Sequence, residues 1–154
     1  MSLSLKREYR LKFYLNAQHY FVNATTGEKG DTHPHTWEFC LNIAVSQQDI
    51  TPFYVFERGV NEYLAPYQNQ VMNDCAPFDM ILPTLESMTE QFTKDFYEII
   101  DAQGGALMRV EGSEGPTRSY IVTVEHGADT ERQKAKEREA LSGVIDNVLN
   151  GILD

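Results

Sequence analysis

Hydrophobic and polar residues alternate through the first part of the chain, and the alternation continues to residue 22. A period of two is typical of a β-strand with one buried face, so it predicts a strand over residues 7–22. His19 is in phase with the apolar residues of this strand, which are Tyr9, Leu11, Phe13, Leu15, Ala17 and Phe21. Residues 23–31 are rich in threonine, glycine and charge and predict a loop. Residues 34–46 predict a second strand, and we expect the two strands to form an antiparallel pair.

Apolar residues then recur at steps of three and four, which is the spacing of one face of a helix. They predict a first helix over residues 53–65 and a second helix that begins after Thr84, a suitable N-cap residue. Residues 65–82 have no clean period and predict an irregular connection. The second helix is expected to end at Gly104-Gly105, and its buried stripe is predicted to contain Met88, Phe92, Phe96, Ile99 and Ile100.

Two short strands are predicted over residues 106–113 and 118–125, around a Ser-Glu-Gly-Pro turn. The order strand, strand, helix, helix, strand, strand predicts an α+β fold in which two helices cover one face of an antiparallel sheet. We assign residues 1–127 to this domain. Residues 128–154 are predicted to form a C-terminal helical extension, charged at its start and amphipathic from about residue 138.

Composition narrows the class of partner. A chain of 154 residues is long enough to bury a core as one domain. Its net charge of −10 argues against nucleic acid and anionic membrane surfaces, and no apolar run reaches the roughly 20 residues of a membrane span. The two cysteines form no C-x-x-C pair, and the chain shows no leader pattern, so we expect a cytoplasmic protein.

Three of the four histidines lie in or next to the first strand pair. His33 and His35 point to the same face of a strand because side chains alternate. If the strands pair antiparallel, His19 joins them. Three histidine nitrogens with an open fourth position are a common arrangement for catalytic zinc. An H-x-H pair alone is more often hydrogen-bonded or solvated, so the pattern leaves both interpretations open.

Several short motifs add to this cluster, in a consistent order along residues 8 to 124. They are Phe13-x-x-x-Ala17-x-His19, His33-x-His35, Met72-Asn73-Asp74, Pro83-Thr84-x-Glu86 and Val110-Glu111. Together they resemble the 6-pyruvoyltetrahydropterin synthase and 6-carboxytetrahydropterin synthase family. The resemblance implies the T-fold, in which small α+β subunits join their sheets into a barrel, commonly as a hexamer. It also implies that His19, His33 and His35 bind Zn²⁺.

The resemblance gives further residues a role in binding a pterin. It implies that Glu111 accepts hydrogen bonds from the amino-pyrimidine end, which presents two adjacent N–H donors to a carboxylate. Without the resemblance, Glu111 would be a solvated glutamate at a strand end. Thr84 and Glu86 match a segment that borders the pterin pocket in the family. As a helix cap and a first-turn acid they are explained equally well.

The sequence departs from the family where protons are exchanged. Family enzymes carry a cysteine a few residues before the H-x-H pair, and some relatives carry a glutamate there. In this chain Glu28 is the candidate catalytic base, about one residue out of register. The Asp–His pair of the family falls on Gln68 and Asn69, which do not exchange protons near neutral pH. Pro34 stands where relatives usually have glycine, and it removes a backbone donor.

The resemblance favours a zinc-dependent lyase or synthase that acts on the side chain of a dihydropterin, by carbon–oxygen or carbon–carbon bond cleavage. Zinc would act as a Lewis acid, and Glu28, Asp31 or a hydroxide on the metal would transfer the proton. The alternatives are a zinc- and pterin-binding relative or assembly protein without turnover, and a purely structural relative whose final helix contacts partners.

Overall fold

The computed structural model describes residues 2–126, together with the single positions Gly143 and Gly151. Four strands and two helices follow in the predicted order: β1 (Arg7–His19), β2 (His33–Val45), α1 (Phe53–Leu64), α2 (Leu85–Ala102), β3 (Gly105–Gly115) and β4 (Arg118–Thr123). The strands form one antiparallel sheet in the order β1-β2-β3-β4. The predicted α+β fold is therefore confirmed.

The helix-facing side of the sheet carries the alternating apolar residues that predicted the strands. In β1 the buried positions are Phe13, Leu15, Ala17 and His19, and in β2 they include Trp37, Phe39, Leu41 and Ile43. These residues pack against the stripe of α2, and the rings of Phe39 and Phe92 lie 5.2 Å apart in an edge contact. The core is thus a layer of aromatic and aliphatic side chains between one sheet face and two helices.

Helix α2 approaches the sheet closely at Gly112. A Cβ atom at this position would lie 2.2 Å from Oγ1 of Thr89. Thr89 and Thr93 are buried, and each hydroxyl donates to the carbonyl oxygen four residues earlier, at 2.6 Å. Small residues on both elements therefore allow the helix backbone to lie near β3.

Strand β1 ends three residues earlier than the alternation predicts. The side-chain amide of Asn73 accepts from the N–H of Tyr20 and donates to its carbonyl oxygen, both at 3.0 Å. Asn73 thus continues the contacts of the irregular connection with the outer edge of β1. The β1–β2 ladder stops at the pair His19 and His33 because the pairing then shifts by one residue, with Val22 opposite Lys29.

The irregular connection contains two short 3-10 helices, Ala65–Tyr67 and Met72–Asp74. Between them the side chain of Gln68 accepts from the N–H of Asn16 and donates to the carbonyl oxygen of Tyr14. The N–H of Asn69 donates to the carbonyl oxygen of Asn16, and the N–H of Gln18 donates to that of Gln70. This segment therefore covers the outer edge of the second half of β1.

The chain divides into two units, Met1–Thr123 and Val124–Asp154. The predicted amphipathic helix lies outside the described residues, and the boundary near residue 127 stays a prediction. No helix in the described part of the chain combines the length and the hydropathy that a membrane span needs.

Candidate metal centre

The three histidines converge at one end of the sheet. His19 and His33 are opposite each other in the β1–β2 ladder, and His35 lies two residues further along β2 on the same face. One ring nitrogen from each of the three lies within 4.8 Å of the other two. The His19 ring centroid is 4.4 Å from that of His33 and 4.9 Å from that of His35. The predicted convergence is confirmed.

His19 is the buried member of the cluster. Its Nδ1–H donates to the carbonyl oxygen of Pro83 at 2.7 Å, which leaves the lone pair of Nε2 unprotonated. This Nε2 atom is one of two buried side-chain atoms in residues 2–126 that have no hydrogen-bond partner. Buried polar atoms are normally paired, so an unpaired imidazole nitrogen that faces two other histidines fits a metal ligand.

Electrostatics keep the cluster suited to a cation. Burial lowers the pKa of His19, and the hydrogen bond to Pro83 and the charge of Glu114 oppose this shift only in part. A lowered pKa keeps the ring neutral, which is the form that binds a metal. His33 is oriented in a similar way, because its Nδ1–H donates to the carbonyl oxygen of Asp31 at 3.1 Å. Backbone acceptors that orient ligand imidazoles are typical of zinc sites.

Aromatic side chains surround the histidines. The ring of Phe21 lies 4.9 Å from that of His19 and 5.8 Å from that of His33. The ring of Trp37 lies 5.0 Å from those of His19 and His35, and Trp37 is fully buried. The rings of Phe21 and Trp37 therefore give the histidine cluster apolar neighbours.

A cavity of ≈ 540 Å³, lined in part by Phe21, lies between the start of α2 and the β3–β4 hairpin. We call it the hairpin cavity. Its carboxylates are Glu86 and Glu114, and Oε1 of Glu114 accepts from the indole N–H of Trp37 at 3.1 Å. The residues that line it are Phe21, Thr84, Leu85, Glu86, Glu114, Thr117, Arg118, Ser119 and Tyr120.

Residues 8–125 match the protein family described as 6-pyruvoyl tetrahydropterin synthase, a range that contains the histidines, both helices and Glu114. The chain belongs to this family. No match is found among curated proteins.

Solved structures of 6-pyruvoyl tetrahydropterin synthases have the same fold. The Caenorhabditis elegans protein has a TM-score of 0.63 at 11% identity, with 81% of this chain and 100% of that chain covered. A Plasmodium vivax synthase, described as a catalytic residue mutant with glutamate changed to alanine, has a TM-score of 0.59 at 13% identity and covers 80% and 100%. An uncharacterized protein from Wolinella succinogenes has a TM-score of 0.54 at 14% identity and covers 79% and 100%. The T-fold is thus shared.

The structure does not bring Glu111, the acceptor that the family resemblance implied, to the histidines. Gly112 faces α2, so the side chain of its neighbour Glu111 points to the opposite face of the sheet. There Glu111 pairs with Arg109 at 3.3 Å and lines a second cavity of ≈ 450 Å³, which shares Glu114 and Ser119 with the hairpin cavity. Among the described residues, Glu114 is the β3 carboxylate on the face of the histidines.

The other predicted binding residues lie at the hairpin cavity. Thr84 caps α2, because its hydroxyl accepts from the N–H of Ser87 while the hydroxyl of Ser87 accepts from the N–H of Thr84. The predicted cap is confirmed, and the same residue lines the cavity. Glu86 is exposed in the first turn of the helix, at the cavity rim.

The candidate base Glu28 lies on an exposed hairpin between β1 and β2. Its described hydrogen bonds are local: its carbonyl oxygen accepts from the N–H of Asn23 and its own N–H donates to Oγ1 of Thr26. The hairpin is joined to the cluster through Phe21, whose carbonyl oxygen accepts from the N–H of Gly30 at 2.7 Å. The structure therefore places Glu28 on a loop that leads into the site, without a described contact to a histidine.

Gln68 and Asn69, at the family's Asp–His positions, serve the backbone of β1 instead. The carbonyl oxygen and the NH₂ group of the Gln68 side chain are both hydrogen-bonded to the backbone of β1. Asn69 has a positive φ of 61°, a conformation that asparagine adopts more readily than most residues. Pro34 occupies an exposed ladder position opposite Gln18, where the ladder continues to the end of β1.

Glu114 and Trp37 are functional candidates that the sequence reasoning missed. Glu114 was assigned to the turn, because the third strand was predicted to end at residue 113 and it ends at Gly115. The alternation of side chains along the strand could have identified it. If the strand includes residue 114, Glu114 lies on the same face as Gly112 and Val110. Trp37 lies two residues after His35 in β2 and therefore on the same face as His33 and His35.

Proposed function

We propose that this member of the family is a zinc-dependent lyase or synthase that acts on the side chain of a dihydropterin. The observation that carries the proposal is the unpaired, buried Nε2 of His19 among three converging histidines, next to the hairpin cavity. A site of this kind offers a metal position and an organic-ligand position side by side. Family membership names the class of reaction.

His19, His33 and His35 would hold Zn²⁺, which when bound supplies Lewis-acid stabilisation of negative charge on oxygens of the substrate side chain. The protein's own contribution is orientation. Backbone carbonyls at Pro83 and Asp31 hold two of the imidazoles with Nδ1 protonated, and the rings of Phe21 and Trp37 exclude water from one side.

Glu114 would anchor the pterin ring. Its carboxylate lies in the hairpin cavity beside the histidines, and a carboxylate accepts two parallel hydrogen bonds from the adjacent N–H donors of an amino-pyrimidine. We therefore move the acceptor role from Glu111 to Glu114. Thr84 and Glu86 border the ring from the start of α2.

Glu28 is the proposed base, with Asp31 as the alternative. Support comes from the Plasmodium vivax relative, for which a glutamate is named as a catalytic residue. In this chain the hairpin that carries Glu28 would need to fold over the histidines when substrate binds, since its described contacts are local. Lid closure of this kind is common in enzymes that sequester a reactive intermediate.

The test is turnover by the zinc-loaded protein with dihydroneopterin triphosphate. We expect phosphate or side-chain carbons to be lost, and chromatography of the products measures this loss. Glu28→Gln should react at least a hundredfold more slowly, because removal of a general base usually slows a reaction by about 10²–10⁴. Thr25→Ala, on the same exposed hairpin, serves as the matched control and should react normally. An equally fast Glu28→Gln would assign proton transfer to another group.

A zinc- and pterin-binding protein without turnover is the second candidate. The observation that favours it is the hydrogen bonding of Gln68 and Asn69 to the backbone of β1, which leaves no acid or base at the family's relay positions. Tight binding of neopterin with no product after prolonged incubation would support this function.

We also propose a homo-oligomer, expected to be a hexamer, and a domain boundary near residue 127.

A further inference from the structure

We propose that Trp37 is a positioning residue that fixes the carboxylate of Glu114 relative to the histidine cluster. This inference rests on the proposed function, because it gives Glu114 a ligand to bind. The geometry places one rigid indole in contact with both parts of the site. Its N–H reaches Glu114, and its ring lies against His19 and His35.

The hydrogen bond to Glu114 is the one that the indole makes in the described structure. Trp37 is fully buried, and an indole has a single donor and no acceptor. A buried donor is normally paired, and Oε1 of Glu114 satisfies it at 3.1 Å. Because the β2–β3 register pairs Glu38 with Ser113, Trp37 and Glu114 continue it as the next opposed pair.

This bond leaves Glu114 able to bind a ligand. Each carboxylate oxygen has two acceptor sites, so Oε1 keeps one and Oε2 keeps both. The carboxylate is thereby held in one orientation before the ligand arrives. Preorganisation of this kind lowers the ordering cost of binding. A glutamate on a strand end without such a donor would sample several rotamers.

The contact with the histidines sets the distance between the two parts of the site. The indole ring is tilted 38° to the ring of His35 and stands edge-on to His19 at 81°, with both centroids 5.0 Å away. The indole therefore holds the carboxylate of Glu114 at a fixed position relative to two of the three histidines.

The first test is a double-mutant cycle on the full-length, zinc-loaded protein, read by calorimetric titration with neopterin. Trp37→Phe keeps an aromatic ring in the core and removes the indole N–H together with the five-membered ring that carries it. We expect it to weaken neopterin binding about tenfold, the effect of losing one hydrogen bond to a charged group, with zinc content unchanged. In the Glu114→Ala background, which has no side-chain acceptor, the same substitution should change the dissociation constant less than twofold, because the two residues act as a unit.

The matched control is Phe39→Leu. Phe39 is equally buried on the same face of β2, and its ring packs against Phe92 and Phe96. It should leave neopterin binding within twofold of the wild-type value. A similar loss in Phe39→Leu and Trp37→Phe, or a Trp37→Phe effect that persists in Glu114→Ala, would overturn the positioning role.

The second test needs no ligand. Trp37 is the only tryptophan of the chain, so its indole N–H gives a single resonance in a ¹⁵N spectrum. We expect this resonance to shift and to exchange faster with solvent in Glu114→Ala. An unchanged resonance would overturn the contact. Absence of neopterin binding by the wild-type protein would instead overturn the proposed function and the role of Trp37 within it, whatever the spectrum shows.

Discussion

The Nδ1 atom of His19 lies 2.7 Å from the carbonyl oxygen of Pro83, the residue before the cap of α2. This bond ties the end of β1 to the start of the helix that borders the hairpin cavity. A shift of the helix start would therefore rotate a metal ligand. The hydrogen bond between His19 and Pro83 therefore couples the geometry of the metal position to that of the hairpin cavity.

We expect about one zinc per chain, and we expect most of it to be lost in His33→Ala. Zinc needs three ligands and an open position in catalytic sites, so removal of one ligand leaves too few. Metal analysis of the purified protein measures this directly. His126→Ala is the control, since His126 is not one of the three clustered histidines, and it should retain its zinc. Full zinc content in His33→Ala would exclude the histidine site.

We expect Glu114→Gln to weaken neopterin binding roughly ten- to a hundredfold, since a hydrogen bond to a charged group is worth about 1.5–3 kcal/mol. Glu111→Gln is the matched control because it lies on the opposite face of the sheet. Titration of neopterin fluorescence gives both dissociation constants. A larger effect at Glu111 than at Glu114 would place the acceptor between subunits, on the open face of the sheet.

Gly112→Ala should destabilise the fold by about 1–3 kcal/mol, the usual cost of overpacking a core. The added methyl group would lie 2.2 Å from Oγ1 of Thr89, so α2 or the strand must move. Urea unfolding measures the change. Gly115→Ala, whose Cβ would meet nothing within 4 Å, is the control. Adding Thr89→Ala to Gly112→Ala should restore part of the lost stability, and failure to do so would argue against this contact.

Tyr63 should make the protein less stable in alkali. Burial, reinforced by the hydrogen bond that its hydroxyl donates to Asp95, raises the pKa of Tyr63. In the unfolded chain this hydroxyl ionises near pH 10, whereas in the folded protein it stays protonated. The free energy of unfolding should therefore fall as the pH rises above about 10.

Tyr63→Phe should make that alkaline dependence shallower, since Tyr67 also has a raised pKa in the folded protein. At neutral pH it should also lower the free energy of unfolding by about 1.5–3 kcal/mol, because Asp95 loses one of its donors and keeps Gln91. Thermal unfolding between neutral and alkaline pH measures both effects. Tyr54→Phe, on an exposed face of the same helix, is the control. An alkaline slope as steep in Tyr63→Phe as in the wild-type protein would assign the dependence to another group.

We expect the full-length chain to be an oligomer, and a hexamer by family resemblance. Light scattering on the full chain and on a chain that ends at Gly127 tests both the assembly and the proposed C-terminal extension. A monomeric full-length protein would contradict the assembly. If the shorter chain stays folded but dissociates, the extension is part of the interface.

The strands, the helices and the histidine cluster could be predicted because each depends on local periodicity. Thr84 as a cap and His33 with His35 on one face are consequences of spacing alone. The end of β1 could not be predicted, because the alternation continues to Phe21 whereas the pairing with the partner strand shifts by one residue after His19 and His33. The proposed move of the acceptor from Glu111 to Glu114 could not be made from the motif alone. Residues 111 and 114 differ by an odd number, so they lie on opposite faces of the strand, and only the structure shows which face carries the histidines.

The segment that includes Gln68 has a consequence for any neighbour that joins the sheet. It occupies the outward backbone groups of Tyr14, Asn16 and Gln18. Within residues 2–126 the first half of β1 remains open, and β4 forms the other edge of the sheet. On the β1 side, a strand from a second chain can therefore add only along this first half, displaced toward the start of β1. Repeated around a ring, such a displacement is a shear, and shear sets the tilt of the strands and the width of a closed barrel. If the chain assembles into such a barrel, the side-chain amide of Gln68 would help to set its width.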